Sequence, residues 1–216
     1  CLKRVAVMPN PLPNELVALK PRTPTCEPSK GRRVLLSVGR LSKEKRTGKI
    51  IDAFVDVADR CPEWDLHLVG DGPLKVILQR KIDCCGLPHG RVRLLGRSNE
   101  PWSLMRDADA FVMASAYEGF PNALLEAVAL GLPSISTDCK SGPREISDDG
   151  KFVRLVPNYD HNALVEAMHT IMSDENLRIK LSIEGPTSVR QRYKLSEVLK
   201  LWDLLFAELL AEGHRL

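Results

Sequence analysis

The chain has 216 residues, a formal net charge of +3, and hydrophobic and charged fractions of 44% and 27%. These are ordinary values for a globular protein built as one large domain, or as one domain with appendages. The slight positive balance gives no case for a nucleic-acid surface, and no apolar run approaches the ~18 residues that would span a bilayer.

The predicted elements run as follows. Residues 2–8 read as a short apolar strand, followed by Pro9-Asn10-Pro11-Leu12-Pro13. Residues 21–33 are rich in proline and basic side chains and predict an exposed connector. From residue 34 onward strands and helices alternate. An apolar run at 34–38 ends at Gly39. Residues 49–58 carry Ile50, Ile51, Phe54, Val57 and Ala58 at helical spacing. A strand at 66–69 and a helix at 74–85 follow, with Gly86 as the stop. A strand at 91–95 leads to a short helix from Pro101. Strands at 109–113 and 134–137 flank a helix that begins at Pro121, and 151–156 is a last strand. Such alternation implies a parallel sheet with helices on both faces, joined by right-handed crossovers. Ligands in sheets of this kind sit beyond the carboxyl ends of the strands.

Residues 162–172 and 174–193 are helical. The last helix carries a broad stripe of Leu195, Val198, Leu199, Trp202, Leu205, Phe206 and Leu209, which needs a partner. A membrane-lying helix fits it poorly, because its polar face holds Glu197, Asp203, Glu208 and Glu212 against few cations. The six cysteines are Cys1, Cys26, Cys61, Cys84, Cys85 and Cys139. None forms a C-x-x-C pair, so free thiols in a reducing compartment are expected rather than a zinc site or a disulfide framework. No secretory signal is visible. The chain begins at Cys1 rather than Met, so it is expected to be a piece of something longer.

The stretch 116–127 carries the most chemistry. Glu118 and Glu126 stand eight positions apart. Pro121 is suited to a first helical position, the residues from Ala123 to Leu130 are strong helix formers, and Gly131 with Pro133 ends the run. Asn122, Ala123 and Leu124 are then expected to offer free backbone N–H groups at a helix N-terminus, a site that attracts phosphate. Two acids flanking it point to hydroxyl groups on a ligand that also carries phosphate. A nucleotide-sugar has both parts.

This segment resembles the E-x7-E motif of retaining nucleotide-sugar glycosyltransferases of the GT-B fold, in the family-four group also called group 1. Val38-Gly39-Arg40-Leu41-Ser42-Lys43-Glu44-Lys45 resembles the family's G-R-L-x-x-x-K loop, Leu68-Val69-Gly70-Asp71-Gly72-Pro73 its VGDGP turn, residues 108–115 the strand before the acidic motif, and residues 131–138 the strand after it. The resemblance is close over 34–146 and loose elsewhere. Such motifs in order weigh more than any one alone.

What the resemblance implies can be stated residue by residue. The fold is expected to be α/β, a Rossmann-like parallel sheet of about six strands forming the C-terminal half of a GT-B enzyme. Residues 1–12 would be the end of the N-terminal domain or a linker, 13–194 the donor-binding domain, and 195–216 a helix that crosses back to the absent N-terminal, acceptor-binding domain. Arg40, Lys45 and Glu118 would be the catalytic residues. Arg40 and Lys45 would neutralise the departing diphosphate in place of a metal, and Glu118 would contact the donor sugar. Glu126 would accept hydrogen bonds from the ribose hydroxyls. Gly119, Phe120, Asn122, Ala123 and Leu124 would supply main-chain contacts, and Arg97 would approach the base. Lys43 and Arg46 read as solvated loop residues.

No cofactor and no metal are implied. The expected partners are a nucleotide-sugar donor, most commonly a UDP-sugar in this family, and a glycan or lipid-linked acceptor at the cytoplasmic face of the membrane. The surface-polysaccharide enzymes of bacteria are the nearest type. A GDP-mannose-using transferase, a UDP-sugar epimerase and a non-catalytic nucleotide- or partner-binding module are the alternatives. Gly70-Asp71-Gly72-Pro73 lacks the third glycine of a dinucleotide fingerprint, since position 75 is Lys; it reads as a structural turn. Gly142-Pro143 reads as a tight turn. His67 and His169 have no metal-ligand partner at useful spacing.

Overall fold

Six strands pair in parallel in the order β3-β2-β1-β4-β5-β6. They are β1 (Arg33–Val38), β2 (Trp64–Val69), β3 (Val92–Gly96), β4 (Ala110–Met113), β5 (Ser134–Asp138) and β6 (Arg154–Pro157). This computed structural model describes residues 8–22 and 31–213, with side chains described through residue 211. The expected strand at 2–8 lies outside the described residues except for Met8, as does most of the connector at 21–33.

The helices are α1 (Asn14–Ala18), α2 (Thr47–Val57), α3 (Lys75–Asp83), α4 (Pro101–Asp107), α5 (Asn122–Ala129), α6 (Pro143–Ser147), α7 (His161–Ser173), α8 (Glu175–Arg192) and α9 (Leu195–Gly213). The chain winds from β1 outward to β3, returns to β4 beside β1, then winds outward the other way. The switch point therefore lies between β1 and β4, where the loops leaving adjacent strands diverge and open a crevice.

Both faces of the sheet are buried, and neighbouring residues along a strand serve opposite faces. Leu35 and Val112 belong to one apolar cluster with Phe54 and Val57 of α2 and Met168 of α7. Leu36 and Phe111 belong to the other, with Leu124 and Val128 of α5, Leu16 of α1 and Val189 of α8. Trp64, fully buried, anchors β2 and donates its indole N–H to the Met172 carbonyl at 3.1 Å. The α/β Rossmann-like architecture with about six parallel strands and helices on both faces is the one expected.

Two short helices stand where the sequence suggested none. α6 occupies the Gly142-Pro143 segment read as a tight turn. Pro143 is its first residue, and Glu145 accepts a hydrogen bond from the Gly142 N–H at 2.8 Å, closing a cap that a turn would not need. α1 lies in the proline-bounded segment after Leu12, with Leu12 and Leu16 fully buried. The stripe of α9 is largely uncovered: Val198 is buried, whereas Leu199, Trp202, Phe206 and Leu209 are exposed. No helix among the described residues is long and apolar enough to cross a membrane.

Candidate functional site

A cavity of about 200 Å³ opens at the switch point. Its floor is the carboxyl end of β1 (Ser37, Val38) with Gly39 just beyond it, and the carboxyl end of β4 (Met113) with Ala114 and Ser115 just beyond it. Leu41 and Lys45 from the loop after β1 line one side. Glu118, Phe120, Pro121, Asn122 and Ala123 from the loop after β4 and the start of α5 line the other.

Two glycines hold the first loop in place. A Cβ on Gly72 would stand 2.5 Å from the Leu41 carbonyl oxygen, and one on Gly70, at φ +148, would stand 1.9 Å from the Gly39 carbonyl oxygen. Their bareness lets the turn after β2 press against the loop after β1, where Leu41 N–H donates to Asp71 O at 2.9 Å and Leu74 N–H to Leu41 O at 3.0 Å. The turn at 70–73 acts by packing, as its missing third glycine suggested.

Lys45 and Glu118 meet at the cavity wall. Lys45 Nζ donates to Glu118 Oε1 at 2.6 Å, with the Glu118 side chain 8% exposed and that of Lys45 28%. Cys139 is buried nearby. Burial, with the Glu118 charge next, pushes its thiol up to about 11, which rules it out as a thiolate nucleophile at neutral pH. Ser115 Oγ is fully buried at the cavity floor with no hydrogen-bond partner among the described residues.

The start of α5 differs by one residue from the expectation. Pro121 is the N-cap, at φ −82 and ψ 80, and Asn122 is the first helical residue. Pro121 packs under Gly142, where a Cβ would stand 2.1 Å from its ring, and that contact holds it ahead of the helix. The amides are also less free than expected. Asn122 N–H donates to Phe120 O at 3.0 Å and Leu124 N–H to Pro121 O at 3.0 Å, because a local turn precedes the helix. Among the described residues the Ala123 N–H makes no backbone hydrogen bond of this kind, and Ala123 lines the cavity. Leu124 is fully buried in the core and does not line the cavity. Gly119 is exposed, and a Cβ there would meet open space. The Phe120 ring packs on Tyr193 at 5.7 Å between centroids, and the residue also lines the cavity.

Glu126 lies elsewhere. It lines a second cleft of about 490 Å³ with Leu19, Asn99, Pro101, Trp102 and Arg106, on a later turn of the same helix α5. Burial raises its carboxyl above the ordinary value of 4.5, against a hydrogen bond from Trp102. Arg40 is exposed at the rim of the first cavity, with no side-chain hydrogen bond or ion pair among the described residues, and Arg97 is exposed at the end of β3. Neither arginine lines either cleft. The structure thus brings Lys45, Glu118, Phe120, Asn122 and Ala123 around one cavity, leaves Gly119 outside its lining, and puts Glu126 in a cleft beside the same helix.

Arg46 is not simply solvated. Its guanidinium donates to Asn158 Oδ1 at 2.8 Å and lies 4.3 Å from the Tyr159 ring centre. Asn158 had no sequence signal beyond its place after a predicted strand. His67 is half-buried, and burial lowers its imidazole pKa; His169 bonds to Arg60 at 2.8 Å. Among the described residues no group of three or more His, Cys, Asp or Glu side chains could hold a metal ion.

The family model for glycosyl transferases group 1 matches residues 25–187. The chain belongs to that family. It is 42% identical over 201 residues to an uncharacterized glycosyltransferase of Methanocaldococcus jannaschii, covering 80% of this chain and 49% of that protein. It is 37% identical over 146 residues to the N-acetylgalactosamine-N,N'-diacetylbacillosaminyl-diphospho-undecaprenol 4-alpha-N-acetylgalactosaminyltransferase of Campylobacter jejuni, covering 67% of this chain and 38% of that one. The chain therefore spans about half the length of these curated relatives, or less. Among solved structures, the C-terminal domain of the group 1 protein LpcC from Francisella tularensis superposes with a TM-score of 0.67 at 28% identity, covering 76% of this chain and 88% of that domain. A TarM variant from S. aureus, in complex with fondaparinux, alpha-GlcNAc-glycerol and UDP, superposes with a TM-score of 0.76 at 22% identity, covering 82% of this chain and 36% of that one; it shares the fold.

Proposed function

We propose that this group 1 chain is the donor-binding half of a retaining, metal-independent glycosyltransferase that takes its sugar from a nucleotide-sugar, with UDP as the expected nucleotide. The observation that carries this reading is the Lys45–Glu118 pair, which lines one cavity with Ala123 at the switch point of a parallel sheet. A cation and an unused amide suit a diphosphate. An adjacent carboxylate suits sugar hydroxyls, and Glu126 one cleft away suits a ribose diol.

In the proposed reaction the bond between the sugar C1 and the β-phosphate oxygen breaks. The acceptor oxygen bonds to C1 on the same face, and its proton passes to the departing phosphate. Negative charge grows on that phosphate, so a fixed cation near it lowers the barrier. Lys45 fills that role, assisted by Arg40 from the rim when its long side chain turns inward. Acceptor groups come from the other half of the enzyme. UDP in the TarM complex and diphospho-undecaprenol in the name of the Campylobacter relative support a UDP-sugar donor and a lipid-linked or glycan acceptor.

Calorimetry with UDP in the presence of EDTA tests the reading, preceded by a thermal-shift panel of UDP, GDP, ADP and their sugars. Metal-free binding of a nucleoside diphosphate is expected, with little sugar transfer by this half alone. No binding, or binding only with a divalent cation, overturns it.

A further inference from the structure

Two loops wall the cavity, and one side chain from a third loop bonds to both. Asn158 follows β6. Its Oδ1 accepts from Arg46 Nη1 at 2.8 Å and its Nδ2 donates to the Ala116 carbonyl at 2.8 Å. Arg46 directly follows Lys45, and Ala116 stands two residues before Glu118. The two loops also touch directly, where Ala116 N–H donates to Glu44 O at 2.8 Å. Arg46 is further held by its stack on Tyr159.

The backbone here is unusual. Arg46 and Tyr159 are both left-handed, at φ 51 and φ 68, and the Tyr159 ring is largely exposed. Left-handed backbone at residues other than glycine is disfavoured and tends to persist where the surroundings over-determine it, often at functional sites. An exposed ring adds little to a core. It does add a face on which the Arg46 guanidinium rests.

We propose that Asn158 is a positioning residue of the donor site, clasping the Lys45 loop to the Glu118 loop so that the ammonium and the carboxylate keep their spacing when a diphosphate enters. The inference rests on the donor-site reading above. Asparagine suits the task because one planar amide carries both an acceptor and donors, at the two ends of a short side chain. Alanine removes both ends. Aspartate keeps the acceptor for Arg46 and loses the donor to Ala116.

The clasp acts on the diphosphate end of the ligand, whereas Glu126 and the second cleft serve the nucleoside end. The test compares the affinities of UDP and UMP by calorimetry, or of GDP and GMP should the wild-type chain prefer guanine. Asn158→Ala is expected to weaken the diphosphate about five- to tenfold, the scale of a lost positioning hydrogen bond, and to leave the monophosphate unchanged. Arg46→Gly cuts the other side of the clasp while suiting the left-handed backbone, so it is expected to show the same selective loss in a chain that melts normally. Unchanged affinities in both variants, or parallel losses for diphosphate and monophosphate, overturn the clasp. A wild-type chain that binds neither diphosphate overturns the donor-site reading, and the clasp with it.

Discussion

The Lys45 ammonium lies 2.6 Å from the Glu118 carboxylate across a sequence separation of 73 residues. Each neutralises the other, so a diphosphate must compete with Glu118 for Lys45. Glu118→Gln keeps the shape and removes the competing charge. It is expected to tighten UDP while slowing sugar transfer by the complete enzyme. Lys45→Ala leaves Glu118 buried without its cation, and is expected to weaken UDP by about 1.5–3 kcal/mol, the scale of a charged hydrogen bond. Calorimetry on the two variants measures both effects, and equal affinities would separate this pair from the donor site.

Arg40 offers a sharper choice. It is exposed, with no side-chain hydrogen bond among the described residues, and, after a Ser42 hydrogen bond, its charge helps lower the nearby Glu44 carboxyl. If it folds inward onto the diphosphate, Arg40→Ala weakens UDP by about 1.5–3 kcal/mol with no change in melting temperature. An unchanged affinity returns it to a solvated loop.

Gly72 is expected to tolerate no side chain. A Cβ there meets the backbone of Leu41 at 2.5 Å, and backbone cannot swing aside as a flexible side chain can. Gly72→Ala should destabilise the fold by about 1–3 kcal/mol and weaken UDP as well, because the displaced loop carries Lys45. Urea unfolding and calorimetry on one sample read the two losses.

Asp109 serves stability from the far end of β4. It is 2% exposed, accepts from Arg22 at 2.8 Å and from the Val34 N–H at 2.9 Å, and so ties β1, β4 and the segment before β1 together. Breaking a buried pair leaves its partner uncompensated, so Asp109→Ala should cost about 3–5 kcal/mol in urea unfolding. UDP affinity should hold, since the cavity lies at the opposite ends of the strands.

Much of this architecture was legible in the chain, for physical reasons that differ by element. The helical spacing of Ile50, Ile51, Phe54 and Val57 marked α2 because that face packs on the sheet. β2 begins two residues before the expected run, since Asp65 reads as polar yet is buried against Arg32 and Arg91. α1 and α6, at five residues each, are too short to show a period, and their prolines read as turns. Within the site, Lys45 and Glu118 were marked by motif resemblance; their contact is a product of topology. The engagement of the Asn122 and Leu124 amides depends on the turn at Phe120–Pro121, which no local pattern announces. Asn158 could have been found only from its place after a strand, on the edge where the site had to be.

Glu126 gives the pH dependence. Burial raises its folded-state carboxyl above 4.5, against the opposing Trp102 hydrogen bond. The folded chain then binds more protons than the unfolded chain in the window from 4.5 to that raised value, so its contribution to stability is present below 4.5 and is lost as the pH rises through the window. A ribose diol donates to the ionised form, so UDP should bind best above the window and release protons to the buffer on binding within it. Glu126→Gln removes the titration. It is expected to flatten the stability–pH slope there, and to leave UDP binding weaker and insensitive to pH. Urea unfolding across the mildly acid range, with calorimetry in buffers of different ionisation enthalpy, measures both. A wild-type chain with no proton release would place the ribose away from Glu126.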